Sequence, residues 1–337
     1  MAAAALPPEV PGLARLGVQR VPVPVPFAEA GGPANVYVIE EQGGGLALFD
    51  AGISTPDGEA ALLAGFAAMG RSLREVRRIF VSHGHIDHYG YAKAAQEVSG
   101  AAVYAHPRDH AKLTWSERTP AHKERYRAWL AKLGAPTNLL DDVNAAWELN
   151  ERMARPVEHV ESVTEGAQLR FAKFTAEVRH LPGHTPGLVC LWDEEHRVLF
   201  SDDHLLELIS PNPLIDLEGQ AEPTHRALAE YLRSVAKARA LPAELIAPGH
   251  GAPFSGHVAL IDQLLGFYAR RQQKMLVLLG QHGKQTAYQL APLVFPRAKQ
   301  HQMFLVLSEV VGNLEVLEDL GKVTRSLRGD EWVFANC

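Results

Sequence analysis

The stretch Phe80-Val-Ser-His83-Gly-His85-Ile-Asp87-His88-Tyr-Gly90 constrains this chain more than any other. An apolar run suited to a buried strand, starting at Arg78, leads into three histidines and an aspartate within six residues, and a helical pattern follows. Imidazole and carboxylate are ligands that zinc takes from proteins. A turn brings positions i, i+2, i+4 and i+5 together, so two of these side chains can meet one ion and two a neighbouring ion. A solvated histidine-rich loop is the bland reading, and the tight spacing argues against it.

The same device recurs. Leu46-Ala-Leu-Phe-Asp50-Ala-Gly52 ends a strand pattern on an acid. An acid there is unfavourable inside a core, so Asp50 either caps the next helix or supports the metal loop from behind, and we favour support. Leu181-Pro-Gly183-His184-Thr-Pro-Gly187 and Ala247-Pro-Gly249-His250-Gly251 each put a histidine in a turn between glycines, which let the backbone bend so that the imidazole points inward. Phe200-Ser-Asp202-Asp203-His204 places two adjacent acids at another strand end.

Between these pieces, strands and helices alternate. Strand patterns occupy residues 20–26, 36–40, 46–50, 78–81, 102–105, 168–171, 174–180, 188–192, 197–201 and 245–248; helical patterns occupy 60–69, 89–97 and 226–240. This alternation indicates a layered α/β architecture. Residues 1–18, rich in Ala, Pro and Gly, read as a loose lead-in. Residues 107–155 turn helical, charged and aromatic, and read as an insertion, either a lid over the site or a plain surface excursion. From residue 259 the pattern is three helices (261–279, 286–295, 302–320) and a hairpin turning at Arg328-Gly-Asp330, a winged-helix-like arrangement.

Strand-end loops carrying His and Asp in this order resemble the metallo-β-lactamase superfamily over residues 19–258, and the branch with a C-terminal winged-helix-like domain typified by β-lactamase-like protein 2. The resemblance implies a four-layer αββα sandwich with metals at one edge of the facing sheets. It implies that His83, His85 and His184 hold one metal, that Asp87, His88 and His250 hold a second, and that Asp203 bridges them, with Asp50 behind. One departure stands out: the residue before the bridging acid is usually glycine and here is Asp202. The implied cofactors are two Zn²⁺, with iron or manganese as alternatives. A family branch with glutamate at the second histidine favours iron and redox chemistry, whereas His85 here points to zinc hydrolysis. Metal-bound water has its pKa lowered to about 7, and Asp87 would both ligate and relay the proton, which makes it the catalytic candidate.

Composition narrows the rest. The net charge of −6 gives no basic footprint for duplex DNA. Two cysteines make no disulfide framework and fit a reducing compartment. The N-terminus lacks the pattern of a signal peptide and no run of about 18 apolar residues occurs, so a cytoplasmic location with no membrane partner is expected. Residues 259–337 hold nine Lys/Arg against seven Asp/Glu, and the helix over 302–320 has no Lys or Arg while carrying Glu309, Glu315, Glu318 and Asp319. Phosphates repel such a helix. Its expected role is packing against the hydrolase domain, lining the pocket or forming a homodimer. Lys322, Arg325 and Arg328 on the wing keep RNA as the alternative partner.

The expected function is therefore hydrolysis of an ester, thioester or lactone small molecule, ahead of single-strand RNA cleavage. A β-lactamase or a non-catalytic binding module ranks lower. His204, beside the bridging acid, and His225, with the Ser210-Pro-Asn212-Pro segment, are candidates for substrate contact. The remaining histidines read mostly as surface or loop residues.

Overall fold

The computed structural model describes residues 10–217 and 225–337. In chain order its helices and strands are α1 Pro11–Arg15, β1 Val18–Val23, β2 Ala34–Glu40, β3 Leu46–Phe49, α2 Pro56–Ala68, β4 Val76–Phe80, α3 Ile86–Tyr89, α4 Ala92–Ser99, β5 Ala102–Ala105, α5 His110–Thr114, α6 Pro120–Lys132 and α7 Thr137–Glu151. Then come β6 Glu161–Ser162, β7 Gln168–Arg170, β8 Thr175–His180, β9 Val189–Asp193, β10 Val198–Asp202, α8 Ala227–Arg239, β11 Leu245–Pro248, α9 His257–His282, α10 Ala287–Val294, α11 Met303–Asp319, β12 Val323–Arg328 and β13 Glu331–Asn336.

Two sheets face each other. The first runs β1 to β6 in sequence order, antiparallel through β3 and parallel from β3 to β6. The second has the order β11-β10-β9-β8-β7, parallel only at β10–β11. Tyr37, Ile39, Phe49 and Phe80 of the first sheet meet Leu169, Val178, Leu191 and Phe200 of the second in one apolar layer. The outer face of the first sheet is covered by α2 and α4 through Leu62, Phe66, Ala92 and Ala95. The outer face of the second is covered by α8 and α9 through Leu228, Val235, Ile261 and Tyr268. Strands with both faces covered read as near-continuous apolar runs, as β3, β9 and β10 do. The result is the four-layer αββα sandwich, with a helical C-terminal region and a small two-stranded sheet.

Several local differences from the sequence expectation have plain causes. Residues 10–18 are not loose: Leu13 of α1 and Leu16 are buried in the inter-sheet layer, while residues 1–9 lie outside the described residues. Helix α2 starts at Pro56 rather than residue 60, because Thr55 caps it through Gly58 N (3.1 Å) and proline suits the first helical position. The helix expected over 89–97 is split, since Tyr91 N donates to Gly52 O (3.0 Å) instead of continuing the helical ladder.

The insertion does not stand apart. Tyr126, Trp129, Leu130 and Leu140 share one core with Leu290, Leu307, Val310 and Leu314 of the C-terminal helices. Of the 17 residues of α11, Val306 to Leu314 and Val316–Leu317 are buried. Among the described residues no helix is long and apolar enough to cross a membrane.

Candidate metal centre

The seven expected ligands arrive at one edge of the sandwich, from the ends of β4, β8, β10 and β11. Three groups lie close enough to hold an ion: His83 with His85 and His184; His83 with His88, Asp202 and Asp203; and Asp87 with His88 and His250. Asp203 sits between the first and last. Its Oδ2 is 3.4 Å from His184 Nε2, 3.5 Å from His88 Nε2 and 3.6 Å from His250 Nε2. Asp87 Oδ2 lies 3.5 Å from His250 Nε2 and 3.8 Å from His88 Nε2. His83 Nε2 and His85 Nδ1 approach to 3.0 Å.

Four imidazoles share an orientation. His88 Nδ1 faces Asp50 Oδ2 (2.9 Å), His184 Nδ1 faces Asn212 O (3.0 Å), and His250 Nδ1 faces Gly32 O (3.1 Å). His83 Nδ1 faces both Ser82 Oγ (2.9 Å) and Asp202 Oδ1 (3.1 Å). A hydrogen bond at one ring nitrogen fixes the tautomer and leaves the other for a metal. Here the nitrogen left over is Nε2 in each case.

Asp50 and Asp202 are a pair behind these histidines. Both have positive φ, 63° and 47°, at the ends of strands, a region that aspartate tolerates better than most residues. Asp50 also accepts from Ser82 N (2.7 Å) and Ser82 Oγ (2.9 Å), so it fixes the start of the histidine loop as well as His88. Asp202 Oδ1 lies on the Nδ1 side of His83 and His88 and accepts from Asp203 N (2.8 Å). The unusual acid therefore sits behind the histidines, while its neighbour faces their Nε2 atoms. A side chain at Gly249 would bring its Cβ within 2.2 Å of Asp203 Oδ1, so only glycine lets the His250 loop approach this closely.

The electrostatics are those of a cation site. Burial, then the charges of His184 and His83, push His85 well below the usual histidine range, which keeps it neutral. Burial also disfavours charge on His88, but Asp202, Asp203, Asp87 and Asp50 together raise it well above that range. His250 is raised to about 9, because Asp203 and Asp87 outweigh its burial. Burial and the charge of Asp202 push Asp50 up. His88 Nε2, His184 Nε2 and Asp203 Oδ1 are buried without a hydrogen-bond partner. Orphaned buried polar atoms are costly, and a cation held among them removes the cost. The donor set of imidazole and carboxylate fits zinc.

A model of the metallo-beta-lactamase superfamily matches residues 30–250. The chain belongs to the metallo-beta-lactamase superfamily. A similar relative is the probable metallo-hydrolase YqjP of Bacillus subtilis, 27% identical over 93% of this chain and 95% of the relative. The acyl-coenzyme A thioesterase MBLAC2 of Gallus gallus is 29% identical over 52% of this chain and 59% of its own length. Among solved structures, the metallo-beta-lactamase family protein TTHA1429 of Thermus thermophilus superposes with a TM-score of 0.81 at 26% identity, covering 95% of this chain and 99% of that one. As these relatives indicate, this chain is a metal-dependent hydrolase of the superfamily.

The two residues expected to touch substrate, His204 and His225, lie beside the loops of Asp203 and His184. His204 is fully buried with its ring against Tyr231 (5.3 Å), and burial, then His184, lowers it to about 3. His225 is buried too; its Nε2 donates to Gly183 O (3.2 Å), next to His184, and its Nδ1 lies 3.4 Å from Glu230. His106, His122 and His257, expected at the surface or in loops, are buried, and His106 stacks on His180 at 3.8 Å. Sequence reasoning missed Asn35, whose Nδ2 donates to Pro248 O (2.8 Å) and Gly251 O (2.9 Å) and so holds the His250 loop. It also missed Asp109, which closes the 3-10 turn Pro107–Asp109 beyond β5 and so lacks the strand-end placement that marked Asp50.

Proposed function

We propose that the centre holds two divalent ions, Zn²⁺ in the first instance, and hydrolyses a small ester, thioester or lactone. The observation that carries this reading is the Asp203 carboxylate, turned toward Nε2 atoms of histidines from three separate loops. His83, His85 and His184 would hold one ion, Asp87, His88 and His250 the other, and Asp203 would touch both. When bound, such ions lower the pKa of a water to about 7 and polarise a carbonyl oxygen. Asp87, whose side chain is 12% exposed, would take up the proton lost in hydrolysis at Oδ2 and pass it to solvent. Asp50 and Asp202 keep His88 and His83 oriented throughout.

The acyl substrate is favoured over RNA by the C-terminal region. Helix α11 has most of its surface buried against neighbouring helices and cannot enter a groove. Its Glu309 is ion-paired with Arg271. On the hairpin, Trp332 has Lys132 Nζ at 5.1 Å and the Arg325 guanidinium at 4.7 Å, so cations already occupy the ring that would stack a base. The thioesterase name of one relative points the same way.

The test is a panel of p-nitrophenyl esters, acyl thioesters, lactones and single-stranded RNA, run with the zinc-loaded protein. Turnover of an acyl substrate that a chelator abolishes and Zn²⁺ restores is the expected result. Metal-dependent RNA cleavage with no acyl turnover would reverse the ranking.

A further inference from the structure

Asp109 belongs to no ligand group, yet it is wholly buried against the centre. Its Oδ2 accepts from Gly84 N (2.8 Å) and Thr185 Oγ1 (2.7 Å), and its Oδ1 accepts from Gly187 N (3.0 Å). Gly84 lies between His83 and His85, and Thr185 follows His184. One carboxylate thus grips two loops that leave different sheets, β4 of the first and β8 of the second. The fit is close: a Cβ at Gly187 would come within 2.6 Å of Asp109 Cγ. Lys112 Nζ, 3.7 Å from Asp109 Oδ1 and 2.8 Å from Asp216 Oδ2, compensates the charge. Although burial alone would raise Asp109, Lys112 and the Thr185 hydroxyl hold it below the usual carboxylate range, so it remains an acceptor at every contact.

We infer that Asp109 is a positioning residue that sets the spacing of His83 and His85 against His184, and so tunes one metal position selectively. The opposite position has its own supports, Asp50 on His88 and Asn35 on the 248–251 turn. The inference rests on the two-ion reading of the centre. Partners that orient ligands without touching the ion typically change metal affinity by about 10–100-fold.

Asp109→Asn tests it with almost no change in size. An amide presents an acceptor on one side only, so at least one of the three donors faces an NH₂ group. The full chain is stripped of metal, then titrated with Zn²⁺ against a chromophoric chelator and with Co²⁺ while its visible bands are recorded. The wild type should take up two ions. In Asp109→Asn one affinity should fall about 10–100-fold, the other should stay within a few-fold, and the bands of one cobalt alone should change. Thr185→Val, which removes a single donor, should weaken the same position by less. Equal weakening of both positions, or two unchanged affinities and an unchanged cobalt spectrum, would overturn the role of Asp109. A wild type that binds fewer than two ions would instead defeat the two-ion reading beneath it.

Discussion

Replacing each of the two adjacent acids in turn tests the proposal that Asp203 is a ligand and Asp202 its support. His250 shows how strongly the surrounding carboxylates hold a positive charge: they raise it from 6.5 to about 9 against its own burial. At ~1.36 kcal/mol per pKa unit, that is about 3 kcal/mol for one proton. Asp203 contributes most to that rise, and a divalent ion among the same side chains feels its charge more strongly than a proton does. Asp203→Ala should therefore weaken binding by at least about 100-fold and leave the purified protein with fewer than two ions. Asp202 touches the Nδ1 side of His83 and His88. Asp202→Asn should keep two ions, each bound about 10–100-fold more weakly. Metal content by inductively coupled plasma mass spectrometry after gel filtration, followed by chelator competition, reads both numbers. Two tightly held ions in Asp203→Ala, with stoichiometry lost in Asp202→Asn, would move the bridge to Asp202 and refute the geometric argument.

Three further outcomes are expected. Without metal His88 and His250 carry protons at pH 7, and a ligating imidazole must be neutral; ion binding should therefore release protons and weaken as the pH falls below about 9, and calorimetry in two buffers of different ionisation enthalpy that finds no release would contradict this. Burial raises Glu315 to about 7, with Arg226 and Arg325 only partly opposing it. The folded state then binds that proton more tightly than the unfolded one, so stability falls as pH rises from about 4.5 to 7. Glu315→Gln should relieve up to about 3 kcal/mol at pH 8 and nothing at pH 4, and lower urea midpoints for the variant at pH 8 would sink the idea. Finally, neutralising Lys322, Arg325 and Arg328 together should leave acyl turnover within about twofold of wild type, since Arg325 and Arg328 already pair with Glu318 and Glu331 at the surface; RNA cleavage that is lost in this variant, with no turnover of any acyl substrate, would make RNA the substrate.

The ligand loops were readable because each pairs an apolar strand with a metal-type residue at its end, a pattern carried by neighbours in sequence. The sandwich came with the family resemblance that those loops carry, and strands such as β9 and β10, buried along their whole length, fit it with a helix layer outside and a sheet inside. What the sequence hid depends on contacts between distant segments. Asn35 looks like any polar residue at a strand start until the 248–251 turn arrives beneath it. His204 and His225 sit in polar stretches, yet packing from Tyr231 and the Gly183 loop buries both. Likewise the insertion over 107–155 gave no sign of its partner. Its aromatic face matches α10 and α11, which lie more than 130 residues further along the chain.

The Asn35 contact has a consequence for how the centre comes into being. It joins residues 213 apart, and the proposed ligands run from His83 to His250 and come from both sheets. Closing loops of that length costs entropy before any contact rewards it, and pairings so distant form late and slowly. A half-folded chain could present the histidine cluster of β4 and still lack the acid and the last histidine. On the two-ion proposal, tight uptake of the second ion would be a property of the finished sandwich, and the rate at which it appears during refolding should follow the closing of the His250 turn, not the formation of the first sheet.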